Sequence, residues 1–313
     1  MLQETYSRLS FLDPKDIFVA TNKNYEDLVK QQLPGLPKDR LIIEPAMRDT
    51  APCICYAAHK LSNMGFDDEV MAIVYADHLI QKPEILQKTL MFAKDHIAKT
   101  DKLGVIAVRA KYANPNLGYI RIGKSIMENE EGFEIYELER FVEKPTEEKA
   151  KKFLTSFRYL WNTGLYMWKV STILKEFKKF SPEIFEKTAK ESTYGDSPKI
   201  SIDYAIIEKI KPENVHVFPS DLGWNDIGNW AALHEELAKE EKENVSIGDH
   251  LQLDTEGSVV LGGGDGKLIV TYGVKDMVII DTDETLLVMP KSKAAHVKEL
   301  IEEIKKRKKE RFL

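Results

Sequence analysis

The chain has 313 residues, 43% of them hydrophobic and 31% charged, enough for one large core and a smaller second unit. A net charge of −6, with no dense basic patch outside Lys305-Lys306-Arg307-Lys308-Lys309, excludes a nucleic-acid partner. No apolar run is long enough to span a bilayer and the opening residues lack a secretory pattern, so no membrane partner is expected.

Ile17-Phe18-Val19-Ala20 reads as a buried strand, followed by a helix over residues 25–33 with Asn24 as its cap. Leu41-Ile42-Ile43 is a second strand. The next helix covers residues 50–64, with Thr50 near its start and Gly65 as its stop. Cys53 and Cys55 lie two apart on it and point to different faces. That disfavours a disulfide or a zinc site and fits a reduced, cytoplasmic setting. Val70-Met71-Ala72-Ile73-Val74 is a third strand, residues 83–98 a long helix with proline in its first turn, and residues 103–108 a fourth strand. Continuous apolar strands between amphipathic helices predict a parallel sheet covered on both faces.

After Arg109 the strands alternate, at residues 119–122 and 135–141, as half-exposed strands do. A helix over 147–154, a strand over 165–168 and short helices down to 202–210 complete what reads as a mixed-sheet elaboration. Beyond residue 244, short strands at 259–261, 268–271, 277–280 and 285–288 are separated by Gly- and Asp-rich turns, predicting a solenoid or a small sandwich. A final helix is expected over 294–309. The fold class is therefore α/β, with a mixed-sheet domain over 1–243 and an all-β domain with a terminal helix over 244–313.

Several segments carry chemistry. Trp224-Asn225-Asp226-Ile227-Gly228-Asn229-Trp230 sets Asp226 in a turn at a helix entrance, suited either to gripping a metal ion or to capping the helix. Asp77 lies past the C-terminal end of a buried strand, where ligands bind in open α/β sheets and a carboxylate is usually functional, a helix cap for the next segment being the alternative. His78 beside it reads as a structural residue. In Glu143-Lys144-Pro145 the lysine can present a charge to a phosphate and the glutamate can accept sugar hydroxyls; a solvated ion pair is the alternative. Trp161-Asn162-Thr163-Gly164 reads as a turn into a strand that offers Asn162 to a polyol, and Gly118 would let a backbone approach a ligand.

Together with Glu44-Pro45-Ala46-Met47-Arg48-Asp49-Thr50-Ala51-Pro52 and Ser201-Ile202-Asp203-Tyr204-Ala205, these segments follow one another in an order that resembles the nucleotide-sugar pyrophosphorylases, most closely the mannose-1-phosphate guanylyltransferases. The resemblance spans nearly the whole chain and implies a Rossmann-like nucleotidyltransferase domain followed by a β-helix-like one. It also implies GTP and mannose 1-phosphate as substrates, GDP-mannose as product and Mg²⁺ as cofactor. By the same resemblance Asp77 and Asp226 hold the metal, Lys144 meets the sugar phosphate, and Gly118, Glu143, Asn162 and Asp203 orient the sugar, Asp203 capping its own helix being equally open. Arg48 and Thr50 fall where the family handles base and ribose. A homodimer through the C-terminal β domain is a further expectation. The alternatives are a non-catalytic member that binds nucleotide sugar, or a pyrophosphorylase for another base and sugar.

The resemblance departs at the start. Family members open with a strand and a Gly-rich phosphate loop, and Met1-Leu2-Gln3-Glu4-Thr5-Tyr6-Ser7-Arg8-Leu9 looks like the helix that follows such a loop. Roughly 25–35 residues are expected to be missing, and activity of the chain to be severely reduced. The strands at residues 17–20 and 70–74 should then either close on each other or keep unpaired edges in a damaged core. Leu261-Gly262-Gly263-Gly264-Asp265-Gly266-Lys267 is no substitute, because a strand and not a helix is expected to follow it.

Overall fold

In a computed structural model, which describes residues 1–228, 230–262 and 266–312, the chain divides into Met1–Trp224 and Asn225–Leu313. Asn229 of the tryptophan-rich segment and Gly263, Gly264 and Asp265 of the glycine turn lie outside the described residues.

The first unit opens with α1 (Leu2–Arg8), β1 (Val19–Asn22), α2 (Glu26–Gln32), β2 (Leu41–Glu44) and α3 (Thr50–Asn63). It continues with β3 (Val70–Ala72), β4 (His78–Ile80), α4 (Pro83–Ile97), β5 (Leu103–Arg109), β6 (Tyr119–Glu128) and β7 (Glu134–Val142). Then come α5 (Glu147–Leu154), β8 (Tyr159–Lys169), α6 (Val170–Phe180), α7 (Pro182–Thr188), α8 (Glu191–Tyr194) and β9 (Val215–Pro219). The predicted cap moves by two residues: Asn24 N–H donates to the Asn22 side chain at 3.0 Å, so Asn22 caps the 3₁₀ turn that precedes α2. Gly65 stops α3 as expected, in the left-handed region at φ 87°.

Six strands form the main sheet in the order β3-β8-β5-β9-β7-β6. Its β5 alternates between two cores: Leu103, Val105 and Ala107 pack with α3 and α6, whereas Ile106 and Val108 pack with α4. Burial on both faces explains why β5 is apolar without interruption. The expected continuous parallel sheet is not formed. β5 and β9 are parallel, but β3 and β5 both run antiparallel to β8. Among the described residues, β1 and β2 stand as a separate parallel pair. β1 and β3 thus do not close on each other; a cavity of about 730 Å³ lies between them, lined by both strands and by α1, α3 and α4.

The second unit carries the end of β10 (Trp224–Asp226), then α9 (Trp230–Leu237), β11 (Val245–Ile247), β12 (His250–Leu253), β13 (Val259–Leu261), β14 (Ile269–Tyr272), β15 (Met277–Asp281), β16 (Leu286–Pro290) and α10 (Val297–Lys306). Of the two expected alternatives, it is the solenoid. β11, β13 and β15 pair in parallel, as do β12 and β14, and β16 returns antiparallel to β15. Val245, Val259, Val278 and Met289 are in register on four successive strands, and all are buried. Each strand alone could bury one apolar face only against the next coil, which is how solenoids gain their core. The expected terminal helix is shorter at both ends. A 3₁₀ stretch, Lys291–His296, precedes α10, and Lys308 at φ 53° follows it in the left-handed region.

Candidate active site

Trp161-Asn162-Thr163-Gly164 is not a turn into a strand. It lies inside β8, where the pairing with β5 jumps from Ile106↔Leu165 to Ala107↔Asn162 and leaves Thr163 and Gly164 as a bulge. Gly164 sits at φ 74°, and a Cβ there would come within 2.9 Å of the Tyr75 ring. Only glycine meets both demands, the left-handed backbone and the close ring. Thr163 secures the bulge by donating to the Ile106 carbonyl at 2.6 Å. Bulges re-aim side chains, and this one sets Asn162 towards Asp203.

Asn162 is 9% exposed. Its amide nitrogen donates to the Tyr166 hydroxyl at 2.8 Å and to Asp203 Oδ1 at 3.1 Å, and its carbonyl accepts from Gly164 N–H at 3.0 Å. The Tyr166 hydroxyl donates to Asp203 Oδ1 at 2.6 Å. Asp203 does not cap its own helix; it is the first residue of a single π turn, Asp203–Ile207, that has no side-chain cap. The sequence marks Tyr166 only as a strand residue, and no periodic signal singles out a strand tyrosine as part of a polar network. Burial, and then the Asp203 carboxylate, push its phenol well above the ordinary range.

Gly118 leads into β6, and Asn162 N–H donates to its carbonyl at 2.8 Å. A Cβ on Gly118 would strike the Glu143 carboxylate and approach Asn162 Cβ to 3.2 Å. Glu143 therefore lies against bare backbone, and Gly118, Glu143, Asn162 and Asp203 meet in one place. Burial, and next the Asp203 charge, raise the Glu143 carboxyl to about 7, with Lys144 opposing. Lys144 is exposed, with Nζ 3.7 Å from Glu143 Oε1. It holds φ 43° just before Pro145. A non-glycine residue in the left-handed region is uncommon, and strain of this kind clusters at functional sites.

Arg48 and Thr50 serve this region from the α3 entrance. The Arg48 guanidinium donates to the Gly195 carbonyl, and the Thr50 hydroxyl accepts from Ile202 N–H at 2.9 Å. Together they tether the segment that delivers Asp203. The cap of α3 is Asp49, at φ 70°, which accepts from Thr50 N–H at 2.7 Å.

Asp77 is exposed in the turn between β3 and β4, so the helix-cap alternative does not apply: a strand follows it. The neighbouring Tyr75 phenol is raised by burial first, then by Asp203 and more weakly by Asp77. His78 packs against the rings of Tyr75 and Trp224 at 5.2 and 5.4 Å, and burial lowers its imidazole to about 4. Asp226 ends the short strand β10 and does not sit in a turn at the entrance of α9. It belongs to the second unit. Among the described residues, no three His, Cys, Asp or Glu side chains gather as a ready metal cage. Mg²⁺ needs only one or two carboxylates, with phosphate oxygens and water completing its shell, and the exposed Asp77 carboxylate fits that requirement.

A mixed α/β unit with a polar cluster built on strand ends and bulges, followed by a β-solenoid, defines the class. Residues 1–243 match the family described as Nucleotidyl transferase, and residues 248–304 match the MannoseP isomerase/GMP-like beta-helix domain. The chain belongs to the nucleotidyl transferase family. Its relatives include Mannose-1-phosphate guanylyltransferase 2 of Escherichia coli O157:H7, 34% identical over 97% of this chain and 66% of that protein. The mannose-1-phosphate guanylyltransferase of Klebsiella pneumoniae is 32% identical over 100% of this chain and 68% of its own length. The chain thus spans about two thirds of the length of these curated relatives. Among solved structures, one titled as a mannose-1-phosphate geranyltransferase from Thermus thermophilus superposes with a TM-score of 0.84 at 29% identity, covering 97% of this chain and 89% of its own. Among the described residues, no helix is long and apolar enough to cross a membrane.

Proposed function

We propose that the chain is the nucleotidyltransferase part of a mannose-1-phosphate guanylyltransferase, joining GTP and mannose 1-phosphate into GDP-mannose and pyrophosphate. The observation that carries this reading is the convergence of the Gly118 backbone, Glu143, Asn162 and Asp203 beside the strained Lys144. The cluster has hydroxyl acceptors against bare backbone and a cation at its edge, which suits a sugar carrying a phosphate.

In the reaction a phosphate oxygen of mannose 1-phosphate attacks the α-phosphorus of GTP in line. The new O–P bond forms as the bond to the bridging oxygen of the β-phosphate breaks, and pyrophosphate leaves with that electron pair. No covalent enzyme intermediate is required, so positioning and charge neutralisation do the catalysis. Lys144 holds the sugar phosphate, Glu143 and Asp203 accept sugar hydroxyls, and Arg48 and Thr50 border the nucleotide. Mg²⁺, held by the Asp77 carboxylate with phosphate oxygens and water completing its shell, would neutralise charge on the phosphates. The setting is cytoplasmic, in keeping with free Cys53 and Cys55. A homodimer through the solenoid is part of the same reading. Leu251, Leu253, Val270 and Tyr272 form an exposed apolar face on paired β12 and β14, from 47% to 75% accessible.

Calorimetric titration of mannose 1-phosphate and GDP-mannose, with pyrophosphate release from GTP as the second readout, tests the assignment. Lys144→Ala and Glu143→Gln should each weaken sugar-phosphate binding by about tenfold or more while the circular dichroism stays unchanged. Binding unaffected by either substitution, or none in the parent chain, would overturn the reading.

A further inference from the structure

A row of cations crosses the β7-β6 end of the main sheet. Arg121 on β6 lies opposite Tyr159 of β8 on one flank and opposite Arg140 of β7 on the other. Residues directly opposite share a face, and like charges so placed are destabilising. A single carboxylate answers them. The β6–β7 pairing passes from Arg121↔Arg140 to Ile122↔Leu138 and skips Glu139. The displaced Glu139 accepts from Arg121 Nη1 at 2.6 Å and lies 3.7 Å from Arg158 Nη2. Among the described residues, no other carboxylate is within ion-pair distance of Arg121, Arg140 or Arg158. Arg158 also donates to the Gly123 carbonyl, and Arg140 to the Tyr159 hydroxyl, each at 3.2 Å. Tyr159 is itself fixed, with its ring stacked on Phe153 of α5 at 4.0 Å. Arg121 Nε is buried without a hydrogen-bond partner among the described residues.

We infer that Arg121, Arg140 and Arg158 form a binding site for the phosphate dianion of a small molecule, separate from the sugar-phosphate cluster. Three guanidiniums against one carboxylate leave two positive charges, the complement of one phosphate group. A guanidinium presents a planar fork of donors that matches phosphate oxygens in pairs. Arg140 and Arg158 are exposed, so both are open to a ligand arriving from solvent. The net charge of −6 gives the chain no general attraction for anions, and a phosphate has to be gathered by a local cluster such as this one. A surface network kept for stability alone would balance its charges and would not set two arginines opposite each other. The site lies on a different face from the sugar cluster. Tyr159 packs into the core shared with α4 and α5, whereas Tyr166, which holds Asn162, packs into the core on the α3 side. The same two strands nevertheless serve both places. Gly118 precedes Arg121 by three residues and Glu143 follows Arg140 by three, about 10 Å along each strand. A phosphate bridging Arg121 and Arg140 therefore clamps β6 to β7 beside the ends that carry Gly118 and Glu143.

Phosphorus NMR titration of inorganic phosphate into the full chain, with ionic strength held constant by sodium chloride, tests the site. The parent should bind phosphate saturably. Arg140→Gln combined with Arg158→Gln should weaken that binding by about tenfold or more while the circular dichroism stays unchanged, and each substitution alone should give part of the loss. Lys144→Ala strips the cation assigned to the sugar phosphate and should leave this binding in place, so the two readings fail separately. Bound phosphate should also slow amide exchange in residues 119–122 and 138–141. Four results would each overturn the inference: no saturable binding in the parent, equal binding in the doubly substituted chain, binding abolished by Lys144→Ala, or binding with no slowing in either strand.

Discussion

Tyr166 and Asp203 are joined by a hydrogen bond of 2.6 Å from the phenol to Oδ1, across 37 residues of sequence. That bond ties the bulged strand β8 to the π turn after α8, and it brings Asn162 to the same carboxylate oxygen. Tyr166 is 1% exposed, so its hydroxyl is not offered to a ligand but positions one that is.

Tyr166→Phe should remove this tie with little change of shape. A buried hydrogen bond to a charged acceptor contributes about 1.5–3 kcal/mol, and the variant should lose that much stability in urea. The affinity for mannose 1-phosphate should fall further than that for GTP. Equal loss for both ligands would assign Tyr166 a merely structural part.

Gly164→Ala demands a left-handed alanine whose Cβ lies 2.9 Å from the Tyr75 ring. Strain and overpacking together should cost about 2–4 kcal/mol, lowering the melting temperature by several degrees. A melting temperature equal to that of the parent would show that the bulge relaxes freely.

Glu143 sets a pH dependence whose sign is fixed. Its carboxyl is raised from 4.5 to about 7, by burial first. Between these values the folded chain keeps a proton that the unfolded chain has lost, so this group's contribution to stability falls as pH rises. Ligand binding should run the other way. The carboxylate that accepts hydroxyls forms only as pH rises through about 7, so affinity for mannose 1-phosphate should climb there. In Glu143→Gln the difference between pH 6 and 8 should shrink to what the ligand phosphate itself contributes; an unchanged profile would remove Glu143 from the sugar contact.

His216 acts in acid. Burial first, then His96 and Lys102, lower its imidazole from 6.5 to about 4, and His96 Nε2 lies 2.8 Å from its Nδ1. The unfolded chain takes up a proton near 6.5 while the folded one resists until about 4, so stability is lost as pH falls through that window. Glu137 lies opposite His216 on β7, and Lys99 faces His96. Thermal melts of His216→Gln should show a shallower decline over that window, and a slope as steep as the parent's would move the effect elsewhere.

Val270→Glu places a charge at the centre of the exposed β12–β14 face, opposite Leu251. If that face joins two copies, analytical ultracentrifugation should show the parent as a dimer and the variant as a monomer, with solenoid circular dichroism intact. A parent that sediments as a monomer would remove the dimer from the proposed function.

Much of this architecture is legible in the residues. The run of apolar residues in β5, the glycine stop after α3 and the spacing of β13 to β15 each reflect a local preference that tertiary contacts then reinforce. The departures share a cause. Trp161-Asn162-Thr163-Gly164 carries a turn signature because glycine there is left-handed, and a bulge inside a strand makes the same demand. The residues after Asp226 suggest helix-entrance chemistry, but pairing of a short strand decides its conformation, and pairing is not local.

By itself the sequence set the family order of the motifs and, through that resemblance, singled out Gly118, Glu143, Lys144, Asn162 and Asp203 as candidates, while glycine and proline marked where the local backbone is restricted. Only the tertiary structure decided that Tyr166 holds Asn162 and Asp203 together, that Gly118 yields its missing Cβ to Glu143, and that β1 and β3 face one cavity from two different sheets. Each of these joins residues far apart in the chain, through contacts that exist only after long-range pairing has brought their strands together.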